Sequence, residues 1–106
     1  MSAEPFVTIV IINYVKWEDT VDCYRSLLNC SYANFDVLIV DNGSRNDSVI
    51  QLERRCPDAR VVESAKNLGY TGGVNFGIRA ALNSDPEFVL LLNADTRWSH
   101  LFCLLS

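Results

Sequence analysis

The sequence predicts an α/β fold with a mostly parallel, doubly wound sheet in the order β-α-β-α-β-α-β. Three observations favour this fold class. Short apolar runs alternate with segments of helical periodicity, the last apolar run has no polar interruption, and no repeat or linker divides the 106 residues. Such alternation is typical of parallel strands joined by right-handed helical crossovers. The chain is therefore expected to fold as one domain.

Four segments have the composition of β-strands. Residues 6–12, 35–40 and 88–92 are rich in apolar and β-branched side chains, and residues 60–63 form a shorter strand candidate. The run at residues 88–92 lacks polar alternation, which is typical of a strand buried on both faces of a parallel sheet.

Three helices are predicted between these strands from apolar residues that recur about once per turn. The residues expected to face inward are Trp17, Val21, Tyr24, Leu27 and Leu28 in the first helix, Val49, Leu52 and Cys56 in the second, and Val74, Ile78, Ala81 and Leu82 in the third. Asp47 or Ser48 is expected to cap the second helix, and Pro57 to end it. A glycine-rich turn at residues 66–73 is expected to precede the third helix. Its small residues serve either close packing of the helix on the sheet or contact with a ligand.

The composition argues against several classes of protein. A net charge of -4 argues against a nonspecific nucleic-acid binder, which needs a basic surface. The amino terminus has no basic export signal, and residues 6–12 are too few to span a bilayer, so a cytoplasmic location is expected. A single histidine, His100, leaves little for a histidine-based metal site. The four cysteines, at positions 23, 30, 56 and 103, form no C-x-x-C pair and are expected to be small buried residues.

Polar residues follow three of the predicted strands. These are Asn13 with Tyr14, Asp41 with Asn42, and Asn93 with Asp95. Ligands of open α/β sheets bind beyond the carboxyl ends of the strands, so these side chains are expected to meet at one site. An aromatic ring there can stack on a base, a carboxylate can accept hydrogen bonds from a base or ribose, and Asp95 can hold Mg²⁺ or Mn²⁺ against a diphosphate. Packing, turn formation and helix capping are the structural alternatives for the same residues.

Two common nucleotide-binding motifs are absent. A dinucleotide-binding fold carries G-x-G-x-x-G directly after its first strand, and residues 13–17 contain no glycine. The Walker pattern G-x-x-x-x-G-K-[ST] is also missing. The sequence therefore argues against a nicotinamide dehydrogenase and a P-loop NTPase.

Four ordered blocks carry a resemblance to a known family. They read V-T-I-V-I-I-N-Y, V-L-I-V-D-N-G-S, N-L-G-Y-T-G-G-V-N-F-G-I and L-L-N-A-D-T, between Val7 and Thr96. Together they resemble the amino-terminal half of the family 2 glycosyltransferases, in particular the rhamnosyltransferase-like branch. The resemblance implies a Rossmann-like GT-A fold and transfer of a sugar, with inversion, from a nucleotide-diphosphate donor to an acceptor hydroxyl. Resemblance to the rhamnosyltransferase-like branch also implies a role in polysaccharide biosynthesis.

The resemblance also implies site residues. Those expected to bind the nucleotide sugar are Asn13, Tyr14, Asp41, Asn42, Gly69, Asn75 and Asn93. Asp95 falls on the metal-binding carboxylate of the D-x-D motif, and Asn93 replaces the first aspartate of that motif. One carboxylate fewer is expected to weaken the dependence on a divalent cation.

Residues 1–106 are expected to form a single truncated GT-A domain without its acceptor-binding half. The general base is expected beyond Ser106, so the chain alone is expected to bind a UDP- or dTDP-sugar weakly and not to transfer it. The acceptor of the full protein is expected to be a glycan or lipid-linked molecule, which leaves membrane association open. Self-association is expected through an apolar surface at residues 101, 102, 104 and 105. A sugar nucleotidyltransferase and a non-catalytic α/β binding module are the alternatives.

Overall fold

The computed structural model of the protein describes residues 4–94, in which four strands alternate with three helices. In chain order these are β1 (Val7–Asn13), α1 (Trp17–Leu28), β2 (Phe35–Asp41), α2 (Ser48–Arg55), β3 (Ala59–Glu63), α3 (Gly69–Leu82) and β4 (Phe88–Asn93). The predicted fold class and element order are confirmed. Each strand end lies within one residue of its predicted position.

The four strands form one sheet in the order β3-β2-β1-β4, and every pair of neighbours is parallel. The register places Asn13 beside Asp41, and Ile12 beside Asn93. The carboxyl ends of β1, β2 and β4 therefore lie side by side at one edge of the sheet, as the sequence predicts.

Apolar residues pack on both faces of the sheet, because successive strand residues point to opposite sides. On one face, Ile9, Ile11 and Ile39 pack against apolar residues of α1 and α2, including Leu27 and Leu52. On the other face, the core comprises Val10, Leu38, Val40 and Ala81, with Phe76 and Ala80 of α3 packed against it. The domain thus has three layers, with the sheet between α1 and α2 on one side and α3 on the other.

The predicted burial of β4 on both faces is wrong for the residues that the structure describes. Phe88 is 60% exposed and Leu91 is 36% exposed, and Leu92 is the one residue of the strand that is buried. β4 pairs with β1 on one side, and no strand of the described part of the chain pairs with its other side. An apolar run indicates a strand, but its burial depends on the elements beside it.

The predicted boundary of α3 is also wrong, and of the four residues predicted to face inward only Ala81 is fully buried. The helix begins at Gly69, so residues 69–73 are helical rather than a preceding turn. Its buried positions are Gly73, Gly77 and Ala81, whereas Leu82 is 59% exposed. A Cβ atom added at Gly77 would lie 2.8 Å from Val10 Cγ1, so glycine allows the helix backbone to approach the sheet closely.

The other two helices follow the predicted periodicity with local exceptions. Leu52 and Cys56 are fully buried, and burial raises the pKa of the Cys56 thiol to about 11. Leu28, predicted to face inward, is 55% exposed at the last residue of α1. At the start of α2, the Asp47 side chain makes no capping hydrogen bond, and the Ser48 amide donates instead to Asn46 Oδ1 at 2.9 Å.

No helix within residues 4–94 is both long and apolar enough to cross a membrane.

Candidate functional site

A cleft of about 310 Å³ opens at the carboxyl edge of the sheet. The residues that line it are Ile12, Tyr14, Lys16, Asp19, Asn42, Asn67, Gly69, Tyr70, Asn93 and Ala94. They come from the end of β1 and the loop after it, the first turn of α1, the residue after β2, the segment before α3 and its first turn, and the end of β4 with the residue that follows. This location is the one that a parallel α/β sheet offers to a ligand.

The structure brings four of the predicted site residues into the cleft and leaves the others outside it. Tyr14, Asn42, Gly69 and Asn93 line the cleft. The predicted residues that do not line it are Asn13 and Asp41, which are 0% and 1% exposed, and Asn75, which is exposed on α3. The predicted metal ligand, Asp95, lies outside the described residues.

Asn13 and Asp41 are tied together by hydrogen bonds at the ends of β1 and β2. Asn13 Nδ2 donates to Asp41 Oδ1 at 2.9 Å, and Thr20 Oγ1 donates to Asn13 Oδ1 at 2.5 Å. Ser44 Oγ donates to Asp41 Oδ1 at 2.5 Å, and the Ser44 amide donates to Asp41 Oδ2 at 3.1 Å. A buried carboxylate needs such donors to replace lost water. Asp41 therefore has a clear structural role in joining the two strand ends.

Asn42 connects the end of β2 to the start of α3. Its Oδ1 accepts hydrogen bonds from the Leu68 amide at 3.1 Å and from Ser64 Oγ at 3.4 Å. Its Nδ2 donates to the Gly69 carbonyl at 3.1 Å. A Cβ atom at Gly73 would lie 2.7 Å from the same Nδ2, so this glycine leaves room for the amide. Asn42 thus fixes one wall of the cleft.

Sequence reasoning missed several side chains of the cleft, among them Lys16, Asp19, Asn67 and Tyr70. Among the described residues of the lining, Lys16 is the only lysine or arginine, and Tyr70 is 68% exposed. Two signals could have found them. Lys16 and Asp19 closely follow the polar end of β1, and Asn67 and Tyr70 belong to the third block of the family resemblance.

Oxygen donors for a divalent cation are present in the cleft, in the Asn93 side chain and the Asp19 carboxylate. Such hard oxygen ligands suit Mg²⁺ and Mn²⁺. Within residues 4–94, no group of three or more His, Cys, Asp or Glu side chains is placed to hold a metal. The described residues therefore offer oxygen ligands of the kind that these cations prefer, but they form no metal site by themselves.

Comparison with known proteins identifies the family. Residues 8–104 match the family described as glycosyl transferase family 2, which covers nearly the whole chain. The chain belongs to this family. A low-salt glycan biosynthesis hexosyltransferase, Agl10, of Haloferax volcanii is 34% identical over 92 residues, which are 84% of this chain and 27% of that protein. An uncharacterized glycosyltransferase of a Nostoc species is 30% identical over 95 residues, 87% of this chain and 29% of that protein.

Solved structures show the same fold. A mannosyltransferase from Pyrobaculum calidifontis, solved with GDP-Man and Mn²⁺, superposes with a TM-score of 0.75 at 19% identity, covering 99% of this chain and 33% of that one. Staphylococcus aureus TarS, solved with UDP, gives a TM-score of 0.72 at 21% identity, covering 85% of this chain and 27% of that one. These likenesses confirm the GT-A fold expected of family 2. The chain spans about a third or less of the length of these relatives.

Proposed function

We propose that this chain is the donor-nucleotide part of an inverting family 2 glycosyltransferase. In this proposal the full protein transfers a sugar, rhamnose in the branch that the sequence resembles, from a UDP- or dTDP-linked donor to an acceptor hydroxyl. The observation that carries the proposal is the cleft at the carboxyl edge of the sheet, which gathers Tyr14, Asn42, Gly69 and Asn93 in a member of a glycosyltransferase family.

The chemistry of the cleft suits a nucleoside diphosphate. Tyr14 is 51% exposed and its ring can stack on the base, while the Lys16 ammonium can offset negative charge on the diphosphate. Asp41 is 1% exposed and does not line the cleft, so in this proposal its carboxylate supports the site through its hydrogen bonds to Ser44. The two cleft residues favour a ligand that combines an aromatic base with negative charge.

A divalent cation, Mg²⁺ or Mn²⁺, is part of the proposal. Asp95 and Asn93 are the residues that would hold it. The similarity of this fold to the mannosyltransferase solved with Mn²⁺ supports the choice of cation. Such a cation neutralises charge on the nucleoside diphosphate that leaves when the glycosidic bond breaks. The general base and the acceptor site are proposed to belong to the rest of the full-length protein. We therefore expect this chain alone to bind nucleotide weakly and to transfer no sugar.

Calorimetric titration tests the donor site. UDP, dTDP and GDP are titrated into the chain with and without Mn²⁺, and the titrations are repeated with Asp95→Ala and with Glu53→Ala. The second variant removes a carboxylate of the same charge from an exposed position of α2. We expect Mn²⁺-dependent binding of UDP or dTDP that is lost in Asp95→Ala and retained in Glu53→Ala.

Other outcomes would contradict parts of the proposal. Absence of binding for every nucleotide would contradict the donor site, and tighter binding of GDP would contradict the assigned base. Binding that is indifferent to Mn²⁺ and to Asp95→Ala would contradict the metal site. Nucleotide binding by a full-length protein that transfers no sugar would favour the non-catalytic alternative.

A further inference from the structure

We propose that Ser44 is a positioning residue for nucleotide binding. Its hydroxyl links Asp41 to the backbone of Val15 and thereby holds the loop that carries Tyr14 and Lys16 to the cleft. The inference rests on the proposed function, because it assigns Ser44 a role in the affinity of the same cleft for a nucleotide.

The loop after β1 has an unusual backbone. The Lys16 amide donates to the Tyr14 carbonyl at 2.7 Å, and the Trp17 amide donates to the Val15 carbonyl at 3.2 Å, so two tight turns follow each other. Val15 lies at the centre of the first turn with a φ of 67°. A β-branched residue rarely adopts this left-handed conformation, which costs free energy and persists only when neighbouring groups hold it.

Polar side chains of the segment after β2 hold Val15 in place. Ser44 Oγ accepts a hydrogen bond from the Val15 amide at 2.6 Å and donates one to Asp41 Oδ1 at 2.5 Å. The direction of both bonds is fixed, because a backbone amide can only donate and a carboxylate can only accept. On its other side, the Val15 carbonyl accepts hydrogen bonds from Asn46 Nδ2 at 3.0 Å and Ser48 Oγ at 3.4 Å. Val15 is thus fastened at both its amide and its carbonyl.

The two residues that flank Val15 both line the cleft. Tyr14 precedes it and Lys16 follows it, so the Val15 backbone sets the position of the ring and of the ammonium group together. A binding site is strongest when its side chains are ordered before the ligand arrives, because ordering them during binding lowers the affinity. Loss of the Ser44 hydroxyl would free the Val15 amide and allow this loop to leave its left-handed conformation. We therefore expect weaker nucleotide binding without any lost contact to the nucleotide itself.

Two variants of Ser44 and a matched control test this role. Ser44→Ala removes the hydroxyl but keeps the backbone bond to Asp41, and Ser44→Thr restores a hydroxyl. Ser26→Ala removes a hydroxyl from α1 that bonds the Asp22 carbonyl at 3.0 Å, away from the cleft. For each protein, amide hydrogen exchange at Val15 is measured by NMR, and the affinity for UDP and dTDP with Mn²⁺ is measured by calorimetry.

The expected result is specific to Ser44. In Ser44→Ala, exchange at Val15 accelerates and nucleotide affinity falls by about fivefold to tenfold, the size expected for one lost hydrogen bond. Ser44→Thr recovers most of both properties, and Ser26→Ala changes neither. Asn46→Ala is a second variant, which removes a different hydrogen bond to Val15 and is expected to lower affinity in the same direction. It also keeps the test decisive if Ser44→Ala does not fold.

Three results would overturn the inference. Unchanged exchange at Val15 in Ser44→Ala would mean that this hydroxyl does not hold the loop. Faster exchange at Val15 in Ser44→Ala, together with a nucleotide affinity equal to that of Ser26→Ala, would mean that Ser44 holds the loop but that the loop does not position the site. A wild-type chain that binds no nucleotide overturns the proposed function and the positioning role together, and this failure is recognised in the wild-type titration before any variant is compared.

Discussion

Single buried polar residues connect the stability of the domain to the shape of its cleft. Asn13 and Asp41 are almost completely buried, and Asn42 is 5% exposed. Each is hydrogen-bonded to a different part of the chain, which offsets the cost of removing it from water. Asp41 holds the loop after β1 through Ser44, and Asn42 holds the start of α3. Substitutions at these residues are therefore expected to change stability and ligand binding together.

Gly43 offers a sharper test at the residue scale, because its space and its backbone both require glycine. Its φ is 75°, and a Cβ atom there would lie 2.3 Å from the Lys66 carbonyl carbon and 2.4 Å from the Asn67 nitrogen. Both neighbours are backbone atoms that cannot rotate away. We expect Gly43→Ala to lower the free energy of unfolding by more than about 3 kcal/mol, from the left-handed backbone and the collision together. Urea denaturation measures this loss.

Gly69 provides the control for Gly43. It has the same φ of 75°, but a Cβ atom there would meet no atom of residues 4–94 within 4 Å. Gly69→Ala is therefore expected to lose only about 1 to 2 kcal/mol, the cost of the left-handed backbone. Equal losses of unfolding free energy in Gly43→Ala and Gly69→Ala would show that the contact with residues 66–67 adds nothing to the cost of a side chain at position 43.

At the scale of elements, the sequence predicts which segments are strands and helices better than it predicts which side chains they bury. The alternation of apolar runs and helical periodicity is a local property, and it locates all seven elements. The inward face of α3 is different, because it depends on how closely the helix approaches the sheet. Gly73 and Gly77 allow that approach, and the apolar residues Val74 and Ile78 are left half-buried beside them.

The same distinction applies to the candidate site. The polar residues at the strand ends are adjacent in the register, which follows from parallel pairing and could be predicted. Their hydrogen-bond partners could not be predicted, because Asn42 bonds Leu68 and Gly69, which are 26 and 27 residues away along the chain. Sequence reasoning therefore finds the edge of the sheet where the cleft lies, but not which of its polar residues are already used by the fold.

The close contact between α3 and the sheet predicts a large effect at Gly77. A Cβ atom there would lie 2.8 Å from Val10 Cγ1 and 3.1 Å from Val40 Cγ2. A leucine would have to push α3 away from β1 and β2, and overpacking of this kind costs about 1 to 3 kcal/mol. We expect Gly77→Leu to lower the free energy of unfolding by about 2 kcal/mol. Arg79→Leu, at an exposed position of the same helix, should change the free energy of unfolding by less than about 0.5 kcal/mol. Similar losses in Gly77→Leu and Arg79→Leu would contradict the tight contact between α3 and the sheet.

At the scale of the whole molecule, the described domain has one conspicuous apolar edge. β4 pairs with β1 alone among the described strands, and Phe88 and Leu91 are exposed on it. An edge strand with exposed apolar side chains tends to pair with another chain, and lysine is among the residues that block such pairing. The sequence predicts self-association through residues 101, 102, 104 and 105, which lie outside the described residues. The exposed edge of β4 gives a separate reason to expect it.

Sedimentation velocity at increasing protein concentration tests this expectation. We expect the wild-type chain to associate reversibly, and Leu91→Lys to shift it toward the monomer, because a charge at the edge must lose water when two strands pair. Ile50→Lys is the control, since Ile50 is 58% exposed on α2, far along the chain from β4, and its substitution adds the same charge. Equal effects of the two lysines would point to net charge rather than the edge of β4 as the cause. A wild-type chain that stays monomeric at every concentration would contradict the prediction and would mean that this edge is already protected within a single chain.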